Sequence, residues 1–370
     1  MTRVLFLVTH LAGSGHLTRT LALADGVIAA GGAALVVSGG RPLAHLPPSR
    51  ATLVQAPPLA VAGFDYRRLL TPDGTAADAA WMAARGARIA EAMAAFAPDV
   101  LVTELFPFGR RGLAAEFEAA AQAARARGAR VVCSVRDIPE PPRKPARVAE
   151  AHGRLRRWFD AVLVHGDPRL APFALGWPGA AEIADLLRFT GYVAAPPPAP
   201  AGDPAEVLVA EGGGALGRGL MRAALGAARL VNRPWRLRLG GADAAAAAAR
   251  MQAEAGPNGV VEPAAADYRA RLGAAAVSVS RFGYNTAVDL LQAGTPAVLV
   301  PLDGAEREQR LRAEAFAGLA QFETLAEDAL TPETLAAAVE RAAARGRGGR
   351  AAVDLSGVET GARLLLGAQE

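Results

Sequence analysis

The chain has 370 residues, with 40 lysines and arginines against 36 aspartates and glutamates, a formal net charge of +4 and 52% hydrophobic residues. This composition excludes a disordered or strongly charged protein and supplies enough apolar residues for two domains, each with its own core. Because Lys144 is the only lysine, we attribute the arginine excess to a GC-rich genome rather than to nucleic-acid binding.

The first half of the chain alternates short apolar runs with alanine-rich stretches of helical periodicity. This alternation is typical of a parallel sheet covered by helices on both faces. We therefore expect a Rossmann-like N-terminal domain over residues 1–194. The apolar runs predict strands at 4–8, 34–37, 52–55, 100–103, 130–134, 161–164 and 189–193.

A glycine turn follows the first strand and ends in a histidine and an arginine: Gly13, Ser14, Gly15, His16 and Arg19. Glycine lets the backbone approach a ligand, and the N–H groups that open the following helix can face an anion. The turn lacks the third glycine of the dinucleotide-binding fingerprint. It predicts an acceptor or phosphate loop, although taken alone it leaves the ligand open.

Polar residues end the later strands of the same half. Glu104 follows the fourth strand, Arg136 and Asp137 follow the fifth, and His165 follows the sixth. Carboxyl ends of parallel strands meet at one edge of a sheet, so we expect Glu104 to come within reach of His16. A carboxylate there would orient the imidazole and stabilise its protonated form. Arg136 and Asp137 are candidates for acceptor contacts.

A proline-rich run over residues 195–205 separates the two halves. Such a run cannot continue a helix or donate to a strand ladder, so we interpret it as a linker. A second Rossmann-like domain is expected over 206–370, and a helix at 358–366 is left open between the two halves. Strands in this part are predicted at 206–210, 236–239, 260–261, 276–279 and 297–300.

The second half opens with its own glycine turn between a strand and a helix: Gly212, Gly213, Gly214 and Arg218. Three glycines before a helix can form a concavity lined by N–H groups, which suits a diphosphate, and the arginine adds positive charge. A flexible connector is the alternative interpretation.

The most informative segment reads as a buried strand, a glycine turn, a short helix, a Gly-x-Pro turn, another strand and a polar loop. Its polar positions collect at strand ends, where open α/β sheets bind ligands. The ordered set comprises Arg281, Gly283, Asn285, Thr286, Asp289, Gly294, Pro296, Glu308 and Gln309.

This ordered set resembles the donor-binding signature of family 28 glycosyltransferases, the group that contains the enzyme forming lipid II. The N-terminal Gly-x-Gly-His-x-x-Arg pattern resembles a loop of the same family. The resemblance implies an α/β GT-B fold, in which two Rossmann-like, doubly wound domains face each other across a cleft. It further implies an inverting hexosyltransferase that needs neither a metal nor a cofactor and uses a nucleotide sugar, for which we expect a UDP-sugar.

The resemblance also implies roles for single residues. Asp289 stands where the family usually has a glutamate that accepts hydrogen bonds from the ribose, and it is one methylene shorter. Glu308 and Gln309 would hold the sugar hydroxyls, and His16 would be the general base with Glu104 as its partner. The remaining donor contacts would come from Gly212, Gly213, Gly214, Arg218, Arg281, Gly283, Asn285 and Thr286.

Two other functions stay open. A nucleotide-sugar hydrolase of the nonulosonic acid type shares the N-terminal pattern and uses water as its acceptor. A non-catalytic subunit of a glycan-assembly complex would lack the chemistry altogether. The acceptor itself, whether a glycan, a lipid-linked molecule or a small molecule, is not identified by the sequence.

The location of the protein is predicted from three features. The single cysteine, the lack of an export signal and the lack of a long apolar segment indicate a bacterial cytoplasmic protein. The basic stretch 143–158 leaves two interpretations open: a solvated helix face, or peripheral contact with the inner face of an anionic membrane. No nucleic-acid partner is expected.

Overall fold

A computed structural model of the chain describes residues 1–43, 46, 48–63, 65–212, 218–241, 243–302, 307–347 and 352–367. Internal contacts divide the chain into two compact units. Unit 1 comprises Met1–Ala195 together with Asp354–Glu370, and unit 2 comprises Pro196–Val353. The expected second domain of 206–370 is therefore too long at its C-terminal end, because the tail from residue 354 packs with unit 1.

Unit 1 is built on a seven-stranded parallel sheet in the order β3-β2-β1-β4-β5-β6-β7. The order reverses between β1 and β4, and in open α/β sheets ligands bind at such a switch point, beyond the carboxyl ends of the strands. The strands are β1 (Arg3–Val8), β2 (Ala33–Gly40), β3 (Thr52–Leu59), β4 (Val100–Glu104), β5 (Arg130–Arg136), β6 (Ala161–His165) and β7 (Leu187–Phe189).

Helices cover both faces of this sheet. Leu5 and Leu7 of β1 belong to one buried apolar cluster, whereas Val4, Phe6 and Val8 belong to another. Successive strand residues face opposite sides, so burial on both sides explains why β1 is a continuous apolar run. The helices that follow the strands are α1 (Gly15–Ala29), α2 (Ala79–Phe96), α3 (Ala114–Ala126) and α4 (Ala146–Trp158).

Unit 2 repeats the plan with a six-stranded parallel sheet in the order β10-β9-β8-β11-β12-β13, whose switch point lies between β8 and β11. Its strands are β8 (Val207–Ala210), β9 (Trp235–Leu239), β10 (Gly259–Pro263), β11 (Val277–Ser280), β12 (Ala297–Leu299) and β13 (Phe322–Thr324). Its helices are α5 (Arg218–Ala227), α6 (Ala244–Gln252), α7 (Tyr268–Ala274), α8 (Tyr284–Ala293), α9 (Glu308–Ala315) and α10 (Pro332–Arg345).

The last helix, α11 (Gly357–Leu365), returns to unit 1 and packs on α1. A Cβ added at Gly26 of α1 would lie 2.6 Å from Cγ1 of Val358, so the small residue makes room for α11. Arg130 donates to the carbonyl of Leu364 at 3.4 Å. These contacts answer the question that the sequence left open for the predicted helix at 358–366.

The predicted strand at 189–193 differs from the structure, and one observed strand was not predicted. Residues 190–193 leave the sheet, because the N–H of Tyr192 donates to the carbonyl of Asp354 at 2.8 Å and Val193 bridges to Ser356. The structure also adds β13, which the sequence analysis did not predict because it is three residues long and only its first residue is buried. Among the described residues, no helix is long and apolar enough to cross a membrane.

Candidate active site

The carboxyl edge of the sheet in unit 1 brings together the histidine and the carboxylate that the sequence singled out. His16 is the second residue of α1 and Glu104 is the last residue of β4. Nδ1 of His16 lies 2.9 Å from Oε1 of Glu104. The His16 side chain keeps 15% of its surface exposed, whereas that of Glu104 keeps 3%. The contact is therefore the one expected, while the roles of the two residues stay predictions.

Arg19 also contacts Glu104. The sequence analysis expected this arginine beside a ligand phosphate instead. It lies one helical turn beyond His16, and its Nη2 donates to the same Oε1 of Glu104. The Arg19 side chain is 2% exposed, so the guanidinium is a buried counterion of the carboxylate. A direct phosphate contact would need this charge at the surface.

The charge states of the pair follow from this environment. Burial lowers the pKa of His16 to about 3, the cation of Arg110 adds to this effect, and Glu104 opposes it. Burial raises the pKa of Glu104, but Arg19, His16 and Ser134 together lower it to about 2. At neutral pH the carboxylate is ionised and the imidazole neutral. With its Nδ1 proton donated to Glu104, His16 has its lone pair on Nε2.

A buried chain of polar side chains continues behind Glu104. Oγ of Ser134 donates to Oε2 of Glu104 at 2.7 Å and lies 3.0 Å from Nε2 of His165. Nδ1 of His165 in turn lies 2.9 Å from Oγ1 of Thr190. Sequence reasoning noted His165 but missed Ser134 and Thr190. Ser134 could have been predicted in the same way, because it pairs with Glu104 in the β4–β5 register.

The loop after β4 is held in an unusual backbone conformation. Leu105 and Arg110 have φ of 68° and 60°, in the left-handed region that residues other than glycine rarely adopt. The N–H of Leu105 donates to the carbonyl of Ser134 at 2.8 Å, and Nε of Arg110 donates to that of Thr9 at 2.6 Å. These bonds hold the Arg110 cation near His16, where it lowers the pKa of the imidazole.

Other residues predicted for unit 1 lie at the same edge but differ in exposure. Gly13 has φ of 66°, and α1 begins at Gly15 with Ser14 at its N-cap, so the predicted turn is present. Arg136 is half-buried at the end of β5. Asp137 is fully buried and accepts from the N–H of Ile138 at 2.7 Å, so it holds the chain instead of facing an acceptor.

Two of the four arginines of α4, Arg154 and Arg156, are matched by acids. Arg154 lies 2.5 Å from both Glu118 and Glu150, and Arg156 lies 2.5 Å from Asp185. Neighbouring carboxylates thus balance these two charges, and at Arg154 and Arg156 a solvated helix face is favoured over a membrane contact.

In unit 2, the start of α8 carries the donor residues predicted from the sequence. Gly283 is the N-cap of α8, and a Cβ built there would meet no described atom within 4 Å. Asn285 and Thr286 are partly exposed in the first turn. As far as the described residues go, the space around the Cβ position of Gly283 is therefore open, as an approaching phosphate needs.

Asp289 follows one turn later and already has a partner. Nε of Arg269 donates to Oδ1 of Asp289 at 2.9 Å. Burial raises the pKa of Asp289 to about 6, and Arg269 opposes this shift. A ribose at this position would meet a carboxylate that is shared with an arginine.

The side chains at the start of α9 connect the two loops that follow β11 and β12. Oε1 of Gln309 accepts from the N–H groups of Phe282 at 3.1 Å and Leu302 at 3.2 Å. Glu308 pairs with Arg312 at 2.5 Å, and Arg312 donates to the carbonyl of Phe282 at 2.9 Å. Glu308 and Gln309, expected at sugar hydroxyls, are thus buried among protein partners.

Arg281 is buried and bonded within unit 2, contrary to the expected donor contact. Its Nη1 donates to the carbonyl of Val300 at 3.1 Å and its Nη2 to Glu327 at 2.6 Å. Because both bonds are internal, Arg281 holds the segment after β11 in place.

The glycine turn of unit 2 is described only in part. Gly212 has φ of 92°, in keeping with a glycine turn, while Gly213 and Gly214 lie outside the described residues. Arg218 pairs with Glu211 and, at 2.8 Å, with Asp243. Its charge is therefore already balanced by two carboxylates. Among the described residues, no group of His, Cys, Asp or Glu is arranged to hold a metal ion.

The comparisons with known proteins agree with this architecture. Residues 241–348 match the family model of the glycosyltransferase family 28 C-terminal domain. No curated protein sequence matches the chain. Among solved structures, MurG from Acinetobacter baumannii is 16% identical, with a TM-score of 0.59 over 99% of each chain.

Two further structures are similar to nearly the whole chain. The spinosyn forosaminyltransferase SpnP is 16% identical with a TM-score of 0.61, covering 98% of this chain and 93% of its own. The spinosyn rhamnosyltransferase SpnG, complexed with thymidine diphosphate, is 14% identical with a TM-score of 0.59, covering 99% and 95%. At such identities the likeness concerns the fold alone, and it confirms the expected α/β GT-B fold.

Proposed function

Because the chain is a family 28-like glycosyltransferase with a GT-B fold, we propose that it moves a hexose from a nucleotide diphosphate to an acceptor hydroxyl. The transfer inverts the anomeric carbon and proceeds without a metal, and a UDP-sugar is the first donor to test. One observation carries the proposal: the 2.9 Å contact between Nδ1 of His16 and Oε1 of Glu104.

The base lies in unit 1. Nε2 of neutral His16 takes the proton of the acceptor hydroxyl while the oxygen forms a bond to the anomeric carbon and the bond to the diphosphate breaks. Glu104 stabilises the imidazolium that results, as the carboxylate does in other base-plus-orienter pairs. Arg19 keeps Glu104 ionised, so the proton stays on His16. The acceptor itself would contact the loop Gly13–Gly15 and Arg136.

The donor belongs to unit 2. N–H groups at the starts of α5 and α8 would face the diphosphate and balance the charge that develops on the leaving group. Asp289 accepts from the ribose hydroxyls, which are neutral donors to a charged acceptor. Gln309 acts on the sugar by holding the loops at Phe282 and Leu302, whose backbone N–H groups it accepts from. Glu308 acts through Arg312, which donates to the carbonyl of Phe282.

The proposal is tested by measuring donor turnover in the wild type and in a variant of the general base, His16. Purified protein is incubated with UDP-, dTDP- and GDP-sugars and a mixture of acceptor alcohols, and the released nucleotide diphosphate and glycosylated products are measured. We expect release of the nucleotide diphosphate for donors of one nucleobase. In His16→Gln the rate of this release should fall by about 100-fold or more. His152→Gln is the matched control, because His152 is a buried histidine of α4 that bonds Trp177.

The outcomes separate the three candidate functions. Release that depends on an acceptor supports a transferase. Release at the same rate in water alone, with no glycosylated product, supports the hydrolase. If no nucleotide diphosphate is released and no nucleotide raises the melting temperature, the enzyme proposal is wrong and the non-catalytic subunit takes its place.

A further inference from the structure

His165 is a fully buried imidazole that the proposed reaction does not use. Both of its nitrogens lie within hydrogen-bond distance of a hydroxyl: Nε2 is 3.0 Å from Ser134 and Nδ1 is 2.9 Å from Thr190. Ser134 continues to the carboxylate of Glu104, and Oγ1 of Thr190 lies 2.8 Å from the carbonyl of Gly191. A chain of four contacts therefore runs from Glu104 into the core of unit 1.

The number of protons in this chain fixes the state of His165. The carboxylate at one end and the carbonyl at the other can only accept, while the serine, the threonine and a neutral imidazole each supply one proton. Three protons cannot fill four contacts. The strongest acceptor is the carboxylate of Glu104, so Ser134 donates to it and His165 donates to Ser134 through Nε2. The contact that has no proton therefore lies on the Thr190 side of the imidazole.

We propose that Ser134 and His165 are positioning residues for the transfer, which orient the carboxylate of Glu104 toward His16 and hold the transferred proton on His16. The inference rests on the proposed function. Ser134 reaches Oε2 of Glu104 from the interior, which leaves Oε1 to Arg19 and His16. By donating to Oγ of Ser134, His165 occupies a lone pair of that oxygen, so the serine proton points to the carboxylate.

The charges around the chain explain why a directed donor matters. Glu104 faces Arg19 from α1 and His16 from the start of the same helix, and Arg110 faces His16 from the loop after β4. The bond from Ser134 lowers the pKa of Glu104. A less basic carboxylate does not take up the transferred proton, which therefore stays on the imidazolium of His16.

The test is histidine-selective ¹⁵N labelling of the full chain and NMR at neutral pH, where nitrogen shifts distinguish the two tautomers. We expect His165 as the Nε2–H tautomer and His16 as the Nδ1–H tautomer. In Ser134→Ala, His165 has Thr190 as its remaining partner and should become the Nδ1–H tautomer. Wild-type His165 in the Nδ1–H form, or a tautomer unchanged by Ser134→Ala, would overturn the inference.

Ser38→Ala is the matched control. Ser38 is a buried serine of the same sheet, and its hydroxyl has no hydrogen-bond partner among the described residues. This variant should leave both tautomers as in the wild type. Should Ser134→Ala fail to fold, Ser134→Cys keeps the size of the side chain with a weaker donor and decides the same question.

Turnover of a nucleotide sugar adds a readout that a purely structural role would not move. Ser134→Ala should lower kcat by about 10-fold or more at unchanged KM for the donor, since a hydrogen bond to a charged group is lost. The acid limb of its pH profile should move to higher pH, because a more basic Glu104 raises the pKa of His16. Ser134→Thr, which keeps the hydroxyl, should recover much of the rate.

The two proposals fail separately. If Ser134→Ala and Ser38→Ala share one kcat and one pH profile, the positioning role is wrong although the enzyme is a transferase. If the wild type turns over no nucleotide sugar, the proposed function is wrong, and the tautomers still decide whether the buried chain exists.

Discussion

Nε of Arg269 donates to Oδ1 of Asp289 at 2.9 Å, and Nη1 of the same guanidinium donates to the carbonyl of Pro196 at 3.1 Å. Arg269 thus ties the carboxylate proposed for the ribose to the segment that opens unit 2. The Asp289 side chain remains 20% exposed. The protein therefore orients the carboxylate, and part of the side chain stays accessible.

The first prediction concerns the pH dependence of donor binding. Burial raises the pKa of Asp289 to about 6, so the carboxyl is protonated below that pH and loses its capacity as a charged acceptor. We expect the affinity for UDP-glucose to fall by about tenfold per pH unit below the pKa. Titration calorimetry across this range measures the effect, and the sugar nucleotide is used because a terminal phosphate itself titrates there.

Two variants decide whether Asp289 is the titrating group. Asp289→Asn should bind weakly at all pH values and show no dependence on pH. Asp203→Ala, in the turn before β8, should bind as the wild type does. A pH dependence that survives in Asp289→Asn would assign the titration to another group.

The second prediction separates a ligand contact from a loop contact at Gln309. Its Oε1 accepts from two backbone N–H groups, and Gln309→Leu removes this acceptor from the buried N–H of Phe282 and the half-buried N–H of Leu302. Each such loss costs about 1 to 3 kcal/mol, so we expect the free energy of unfolding to fall by about 3 kcal/mol without any ligand.

Urea unfolding of Gln252→Leu provides the comparison. Gln252 is exposed and its Oε1 accepts from one N–H, that of Val261, at 2.6 Å. It should lose less stability. Equal stability of the two variants, with donor binding lost in Gln309→Leu alone, would mean that Gln309 acts on the ligand directly.

The third prediction concerns the buried pair of Arg19 and Glu104. Glu104→Gln leaves the guanidinium buried without its counterion, which should cost about 3 to 5 kcal/mol. Arg19→Met combined with Glu104→Gln should cost less than the sum of the single changes, because the two residues share one interaction. Additive losses would contradict the pairing. Asp99→Asn, at an exposed pair with Arg3, should cost about 1 kcal/mol or less.

The same pair should give a pH dependence of stability. The pKa of Glu104 is lowered to about 2 in the folded protein, below its unfolded value of about 4.3. The stabilisation is therefore complete above the unfolded pKa and is lost as the pH falls toward the folded one. The difference in unfolding free energy between wild type and Glu104→Gln should shrink over that window, as measured by urea unfolding at several pH values.

Strand-end reasoning predicted the core of the site because the topology is regular. β1 and β4 are parallel neighbours, so a residue ending β4 and a residue shortly after β1 must share one edge of the sheet. That argument placed Glu104 near His16 from the sequence alone. It did not require any knowledge of side-chain packing.

The partners of the arginines could not be predicted in the same way. Arg281 bonds Glu327, which is 46 residues away, and Arg19 bonds Glu104, which is 85 residues away. A long side chain has several acids within reach of its backbone position, and packing decides between them. The sequence therefore predicted ligand contacts for Arg19 and Arg281. The structure instead pairs both with carboxylates of the protein.

The last prediction concerns the docking of α11, whose place in unit 1 the sequence left open. A Cβ added at Gly357 would lie 2.6 Å from the carbonyl oxygens of Gly191 and Tyr192. Backbone atoms cannot move aside by changing a rotamer, so Gly357→Ala must displace the helix and should cost about 2 kcal/mol or more. Gly153→Ala is the control, because a Cβ in the middle of α4 meets no described atom within 4 Å. That variant should gain about 0.5 to 1 kcal/mol from helix propensity. Unfolding curves of both variants measure these changes, and limited proteolysis should cut the tail of Gly357→Ala first. If Gly357→Ala is as stable and as resistant as the wild type, α11 does not pack on unit 1 through Gly357.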